Sequence, residues 1–462
     1  MFPANFTERL KQQKYIDAVH LEEALDRPSP VSIRINPIKW KGTPKKLECV
    51  SWSDYGYYLE TRPLFTFDPL FHSGCYYPQE ASSMFIEKVY KQVVNDLADI
   101  RVLDLCGAPG GKSTHLSFMI GNKGLLVANE VIKSRAGILA ENITKWGIGN
   151  TIVTNNDPAA FSRQKDYFNL ILVDAPCSGE GMFSDLTVRN EWSAENALLC
   201  SERQRRIILD VWPSLKENGI LIYSTCTFNP AENEENIKWL SEKTGADSVT
   251  LDISEFDNIQ EIIYKGIIGY GFYPGKINGD GLFIAVVKKT DGSSGVTKMK
   301  VNKNDNQLTG SDLKTAEKLI DISQNRLYRH DDIVYDLSLP VEEYISLKNY
   351  LRIIKGGTAL YKTRKDDFTP LHELALSCRM KKDAFPNVDL DFHQAISFLK
   401  KENIKIKDAP MGWILLKYSG VNLGFVRNIG SRVNNYFPTE WRIRMNTPEN
   451  VQIRQIDWNI LV

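Results

Sequence analysis

The sequence predicts an α/β protein built on a mostly parallel, doubly wound sheet, with smaller α+β regions before and after it. Three observations predict this. From Ile100 to Lys288, short apolar β-branched runs alternate with helix-length segments, the pattern of strand–helix–strand crossovers. Several of those runs end abruptly in an acid, a glycine loop or a cysteine, as strands do at the rim where open α/β sheets hold ligands. Thr290 to Ser311 (TDGSSGVTKMKVNKNDNQLTGS) is polar and almost free of large apolar residues, so it reads as a linker to a further region.

At 462 residues the chain is too long for one ordinary core. The expected divisions are 1–92, an α+β segment; 93–289, the sheet; 290–311, the linker; 312–385, an α+β intermediate region; and 386–462. The net charge is zero, so any basic surface must be local. No apolar run approaches the roughly 18 residues needed to span a bilayer. The first residues, Met1-Phe2-Pro3-Ala4-Asn5-Phe6, lack the basic and apolar regions of a signal peptide. Seven scattered cysteines, at 49, 75, 106, 177, 200, 226 and 378, argue for reduced thiols, and no C-x-x-C or His–Cys cluster suggests a metal. A cytoplasmic, monomeric protein is expected, with no membrane partner and no internal repeat.

Taken in order, Glu8 to His20 reads as a short helix. Ser32-Ile33-Arg34-Ile35-Asn36 alternates like a strand, and Leu64 to Phe67 fits another. Gly74 to Ser83 precedes a helical pattern through Val89. Val102-Leu103-Asp104-Leu105 is the first strand of the regular region, and Cys106 to Lys112 is a glycine-rich loop with a helix from Ser113. Gly124 to Asn129 is a strand ending in Glu130. Lys133 to Trp146 is a helix. Thr151 to Asn155 is a third strand followed by Asp157. Leu170 to Val173 is a fourth, breaking at Asp174-Ala175-Pro176-Cys177. Asn190 to Lys216 is largely helical, and Gly219 to Tyr223 is a fifth strand, ending in Ser224-Thr225-Cys226-Thr227. After a helix from Pro230 to Lys243, Gly269–Tyr273 and Gly281–Lys288 can close the sheet as a hairpin. Near the C-terminus, Gly412 to Ser419 and Leu423 to Arg427 read as strand, turn and strand.

The glycine loop fits neither of two familiar phosphate motifs. A P-loop needs glycine where Cys106 stands, and a dinucleotide loop needs G-x-G-x-x-G where Ala108-Pro109-Gly110-Gly111 follows Gly107. It suits a nucleoside cofactor without phosphates. The backbone would hold the amino-acid end of S-adenosylmethionine, with Lys112 on its carboxylate. Glu130 would take the ribose hydroxyls and Asp157 the adenine edge. Alone, Glu130 reads equally as a helix N-terminal acid. Its company at successive strand ends favours the cofactor.

Two strands delivering Cys177 and Cys226 to one rim suggest covalent catalysis. Cytosine C5 is a poor nucleophile, and a thiolate added at C6 makes C5 enamine-like and able to attack a sulfonium methyl; removal of the C5 proton then lets the thiol leave. A carboxyl group at N3, such as Asp174, would favour the addition. Cys49, Cys75, Cys200 and Cys378 read as small buried hydrophobes.

DAPCSGEG, YSTCT with Asn229-Pro230-Ala231-Glu232-Asn233-Glu234, and LDLCGAPGGKST resemble the motifs of the Sun-type family of RNA cytosine-C5 methyltransferases, and within it the bacterial RsmF-like branch. The resemblance is close over roughly residues 70 to 290. It implies a class I, Rossmann-like core with a seven-stranded, mostly parallel sheet whose last strand is antiparallel. It implies Cys226 as nucleophile, Cys177 in product release and Asp174 as ring support. Cofactor contacts are implied for Cys106, Gly107, Ala108, Pro109, Gly110, Gly111, Lys112, Glu130, Asp157 and Asp174, with Arg135 expected nearby. It also implies an RNA-facing N-terminal domain, where Arg34 and Asn36 read as fold contacts, and a C-terminal PUA-like β-barrel. From Pro410 to Val462 six Lys/Arg face three acids, with aromatics interleaved. Lys417, Arg427, Arg432, Arg442 and Arg444 are the expected RNA contacts. The implied substrate is small-subunit ribosomal RNA. The rivals are transfer RNA, an assembly factor with a vestigial core, and an NTPase using Gly111-Lys112-Ser113.

Overall fold

The computed structural model describes residues 2–46, 48–94, 98–290, 308–322, 326–337, 339–364, 367–406, 409–446 and 455–459. Most of the expected linker lies outside these residues.

The central sheet contains β1 (Ile100–Asp104), β2 (Gly124–Asn129), β3 (Thr151–Thr154), β4 (Phe168–Asp174), β5 (Leu215–Thr225), β6 (Gln260–Tyr264), β7 (Ile267–Phe272), β8 (Leu282–Lys288) and β9 (Ile353–Gly356). Their order is β6-β7-β8-β5-β4-β1-β2-β3-β9, and a short strand, Asp247–Ser248, pairs with β8. The expected seven-stranded core is the stretch β7-β8-β5-β4-β1-β2-β3. Its five inner strands are parallel, and β8 runs antiparallel to β5. Two strands extend it: β6 by a hairpin with β7, and β9, from beyond the linker, antiparallel to β3.

β1 is buried on both faces because its residues alternate between two apolar layers. Val102 packs with Leu116 of α1 (Gly111–Ile120) and Leu139 of α2 (Lys133–Trp146). Leu103 packs on the other side with Ile207, Ile208 and Val211 of α3 (Ala194–Val211) and Ile237 of α4 (Glu234–Thr244). Each such side chain contributes about 1.5–3 kcal/mol. The flanking regions enter these layers. Trp52 and Phe85 from before the sheet join the first face, and Val341, Ile345 and Leu347 from beyond the linker join the second. β9 is therefore the edge of a packed layer and covers what would be an open strand edge at β3.

The N-terminal segment has a four-stranded sheet containing Val31–Ile35, Gly56–Leu59 and Tyr76–Pro78. The single helix expected over Glu8 to His20 is two helices, Ala4–Gln12 and Ala18–Leu25, with Asp17 capping the second through His20 N. Leu64 to Phe67 is not a strand. It is a turn in which Phe67 N donates to Leu64 O, immediately before Asp68 caps the next helix. Beyond the linker, Leu327–His330, Ile333–Asp336, Thr358–Arg364 and Asp367–Pro370 form one sheet beside helix Val341–Lys348. The C-terminal region expected as a barrel has a four-stranded sheet among the described residues. Asn387–Leu390, Gly412–Tyr418, Val421–Asn428 and Val433–Asn435 lie in that order, with helix Phe392–Leu399 against them.

Candidate active site

The parallel register of β4 and β5 sets Ser224 beside Asp174, so both strands end at the same level. The loops that follow bring Cys177 and Cys226 together, sulfur to sulfur at 2.9 Å, and Cys226 N donates to Cys177 Sγ at 3.2 Å. Both are free thiols. The hydrogen bond with the Cys226 sulfur, with burial added, holds the Cys177 thiol well above its ordinary pKa. Cys177 therefore keeps its proton at neutral pH.

Buried carboxylates hang the two loops in place. Glu232 accepts from Ser178 N at 3.0 Å, from the Ser178 hydroxyl and from Gln204 Nε2 at 2.9 Å, while the Ser178 and Thr227 hydroxyls lie 2.9 Å apart. Burial pushes Glu232 up to about 7. Glu180, three residues past Cys177, accepts from Phe228 N, two residues past Cys226, at 3.1 Å. It also accepts from Trp192 Nε1 and from Arg9 of the first helix. That helix, expected to face RNA, lies behind the cysteine loops, where Gln13 Nε2 also bonds Phe228 O at 3.1 Å. Gly181 N donates to Cys226 O at 2.9 Å, and Gly281 N, in the loop before β8, donates to Gly181 O at 3.2 Å. A Cβ on Gly181 would stand 2.7 Å from Gly281 Cα, so this crossing requires glycine.

The glycine loop, Cys106 to Lys112, joins β1 to α1. Gly110 has φ +124°, which favours glycine, and Gly107 N donates to Asn129 O at 2.7 Å. Arg34, buried, donates to Gly111 O and Thr114 Oγ1, and Asn36 bonds Gly74 O and Trp146 O; both are fold contacts. Lys112 Nζ lies 2.9 Å from Asp174 Oδ2, and Ser224 Oγ donates to Asp174 Oδ1 at 2.7 Å. Burial opposes the Lys112 charge, but Asp174 outweighs it and raises the ammonium pKa. Asp174 and Lys112 are thus already paired with one another.

A cavity of about 350 Å³ lies among these loops, lined by Cys226, Asp174, Lys112, Asp104, Glu80 and Asp280 among others. Sequence reasoning missed Asp104 and Glu80. Asp104 looked like strand interior, and its place just before the glycine loop was the available signal. Its Oδ2 accepts from Ser113 Oγ at 2.6 Å, its buried Oδ1 has no partner, and burial pushes it up to about 7. Glu80 is also pushed up to about 7 by burial, with Asp280 adding to it. It accepts from the backbone N–H of Ser82, Ser83 and Asp280, each at 2.8 Å, clamping the N-terminal segment to the loop before β8.

Glu130 and Asp157 stand at the ends of β2 and β3, outside the lining of that cavity. Glu130 is buried, accepts from Ile132 N at 2.9 Å and lies 3.4 Å from Arg135, which donates to Ala108 O. Asp157 accepts from Ala159 N at 3.1 Å and lies 3.5 Å from Arg206.

Residues 92–288 match the family model of the 16S rRNA methyltransferases RsmB/F. Residues 2–81 match the N-terminal domain of the 16S rRNA methyltransferase RsmF, and residues 385–443 match the methyltransferase RsmF PUA domain. A ribosomal RNA small subunit methyltransferase F of Aliivibrio fischeri is 30% identical over 92% of this chain and 94% of its own. The chain belongs to the ribosomal RNA small subunit methyltransferase F family. Another relative with the same name, from Shewanella piezotolerans, is 29% identical over 95% of this chain and 97% of its own. A methyltransferase homolog protein from Pyrococcus horikoshii is similar in structure, with TM-score 0.53 and 27% identity over 62% of this chain and 95% of that one.

The C-terminal cations expected to meet RNA do not form one cluster. Lys417 pairs with Asn422 beside the hairpin turn, whereas Arg427 pairs with Trp413 at the other end and stacks over its ring. Arg432, Arg442 and Arg444 are exposed. No helix among the described residues is long and apolar enough to cross a membrane, and none of their His, Cys, Asp and Glu side chains group as a metal site.

Proposed function

We infer that the protein transfers a methyl group from S-adenosylmethionine to C5 of a cytosine in 16S ribosomal RNA, through a covalent Cys226–C6 adduct. The observation that carries this reading is the 2.9 Å meeting of Cys177 and Cys226 over a cavity shared with Asp174 and Lys112. The family supplies the substrate class, since its relatives are named for the small-subunit RNA. The chain's full-length match to them favours ribosomal over transfer RNA, and a vestigial core has no need of two thiols braced by buried carboxylates.

The residues present fit the cofactor. A buried Asp104 oxygen without a partner suits a cationic group, and it lines the cavity beside the glycine loop. When bound, S-adenosylmethionine supplies an electrophilic methyl on a sulfonium. Glu130, with Arg135 fastened to the loop at Ala108, would hold the ribose end, and Asp157 the adenine end.

The rest is the work of the chain's own groups. Cys226 gives up its proton to solvent and its sulfur bonds C6, which moves electron density to C5. Asp174, bonded to Lys112 and Ser224, can accept hydrogen bonds from the ring's N4 or a protonated N3. Once C5 has four substituents its proton passes to solvent, and the electrons of that C–H bond expel the Cys226 sulfur. Cys177, protonated and in contact, can return a proton to that sulfur as it departs.

The test is mass spectrometry of denatured Cys177→Ala protein after incubation with S-adenosylmethionine and unmethylated 16S RNA. An RNA adduct on Cys226 is expected. An adduct with transfer RNA alone would change the substrate, and the absence of any adduct would remove the release role of Cys177.

A further inference from the structure

An aromatic-lined cleft of about 690 Å³ lies between the sheet that follows the linker and the C-terminal region. Tyr328, Tyr335, Tyr344 and Trp441 line it, together with the residues of β9. The rings support one another. Tyr328 lies 5.4 Å from Tyr344 and 6.4 Å from Tyr335, centroid to centroid, and His372 meets Trp441 edge-on at 5.4 Å. Tyr335, Tyr344 and Trp441 remain only half-buried, which leaves surface for a further ring.

The charge of the cleft is positive on balance. Lys348, Arg352 and Lys355 line it, and the single lining acid, Glu373, is already engaged by Lys355 and by Ala359 N. Lys348 and Arg352 are exposed. Lys348 Nζ lies over the Tyr328 ring, 5.9 Å from its centroid, so cation and aromatic are interleaved.

The position matters as much as the lining. Arg352 O accepts from Asn155 N at 3.0 Å, and Arg352 N donates to Asn156 Oδ1 at 3.0 Å, at the C-terminal end of β3. Arg352, at one end of the cleft, is therefore on the same rim of the sheet as Cys226, and the lining runs along β9 to Gly356. β9 is five strand spacings from β5, roughly 24 Å at the usual interval.

We propose that this cleft is a second RNA-contact site, taking an unpaired nucleotide of the substrate by stacking on its tyrosines while Lys348 and Arg352 meet the phosphates. Every base has a face that stacks, so the site holds strand geometry and not sequence. It would fix a single-stranded segment next to the one that enters the catalytic cavity. The proposal rests on the reading of an RNA substrate.

The test is binding of unmethylated 16S RNA by filter retention over a range of salt, with a thermal midpoint as fold control. Lys348→Glu with Arg352→Glu is expected to weaken binding about tenfold or more. It should also flatten the slope of log affinity against log salt by about 1.4, two contacts at the single-strand value. Tyr335→Leu should weaken binding about tenfold and Tyr335→Phe should restore it. Unchanged affinity and slope in the double variant would overturn the proposal, as would equal behaviour of Leu and Phe at 335. Lost binding to the assembled small subunit with normal binding to naked RNA would make the occupant a protein and overturn it too. Adduct trapping in Cys177→Ala reports separately on the catalytic reading. An adduct with an indifferent cleft sinks only the cleft, and no adduct with a cleft that binds RNA sinks only the chemistry.

Discussion

The rim of the sheet has two halves built to different standards. At the ends of β4 and β5 the side chains are locked before any ligand arrives: Glu232 and Glu180 are both fully buried and between them accept from four segments of the chain. At the ends of β2 and β3 the support is lighter, although Glu130 itself is buried. Asp157 is 48% exposed and caps a short turn, and the Arg135 that reaches Glu130 is equally exposed. Covalent addition needs a sulfur within a narrow range of position and angle, so its loops are fixed in advance. A ribose and an adenine can be gathered by groups that settle around them.

The largest effect that this contrast predicts is at Cys226. Cys226→Ala should lower methyl transfer by about 10⁴-fold or more, because the other thiol at the rim, Cys177, holds its proton and is a poor nucleophile. The thermal midpoint should barely move, because Cys226 is only partly buried and the brace around it does not use its sulfur as a support. A large loss of stability would mean that the thiol pair is structural.

Glu232→Ala tests the brace. It leaves Ser178 N and Gln204 Nε2 without their acceptor inside a buried network, at a cost of about 3 kcal/mol in stability. Glu232→Gln keeps an acceptor and should cost less. For a positioning residue, adduct formation in the Cys177→Ala background should slow while the KM for S-adenosylmethionine stays near its starting value. Equal effects on both would show that the two halves of the rim are not independent.

Asp104 lies between the halves and carries a pH signature. Its folded pKa is raised to about 7 against an ordinary aspartate near 4, so the folded protein binds this proton more tightly than the unfolded chain. Its contribution to stability is therefore full below about pH 4, falls as pH rises toward 7 and is flat above. Asp104→Asn should remove that slope, so the variant gains on the wild type in cofactor-free melts between pH 5 and 8. The same change should weaken S-adenosylmethionine binding about tenfold at pH 8, the loss of one charged contact. Greater stability at pH 8 with unchanged cofactor affinity would make the unpartnered oxygen a packing fault and not a ligand contact.

Much of this was legible in the sequence, for a physical reason that also sets its limit. Strands buried on both faces write themselves as apolar runs, and the residues just beyond them must sit on the rim. Cys177, Cys226, Asp174 and the loop from Cys106 to Lys112 could therefore be placed from their neighbours. β9 could not, because Ile353–Gly356 is a short edge strand whose partner lies across the linker. Glu232 and Glu180 read as ordinary acids near loops; burial and shared partners single them out, and both depend on tertiary contacts. The helix expected over Glu8 to His20 breaks where Asp17 caps a new one, a local signal that was present and outweighed by the apolar pattern. Lys417 and Arg427 looked like one basic patch because they are close in sequence, yet the hairpin carries them to opposite ends.

The smallest expected effect is at Asp157, and it is the one that could break the comparison. Its carboxylate caps a turn through Ala159 N and meets Arg206 at a distance where solvent screens most of the attraction. Asp157→Ala should cost about 1 kcal/mol of local stability, the usual loss of such a cap. Its effect on S-adenosylmethionine affinity should stay within about threefold, because a half-exposed carboxylate exchanges a bond to water for one to the adenine amino group and gains little. Asp157→Asn, which still caps, should be closer to the wild type in both. Calorimetric titration of the three proteins with S-adenosylmethionine decides it. A tenfold or greater loss in Asp157→Ala, matching Asp104→Asn, would place the adenine end under the same constraint as the cysteine loops. The soft half of the rim would then be as pre-built as the hard one, with β9 and its bonds to Asn155 and Asn156 as the support that stiffens it.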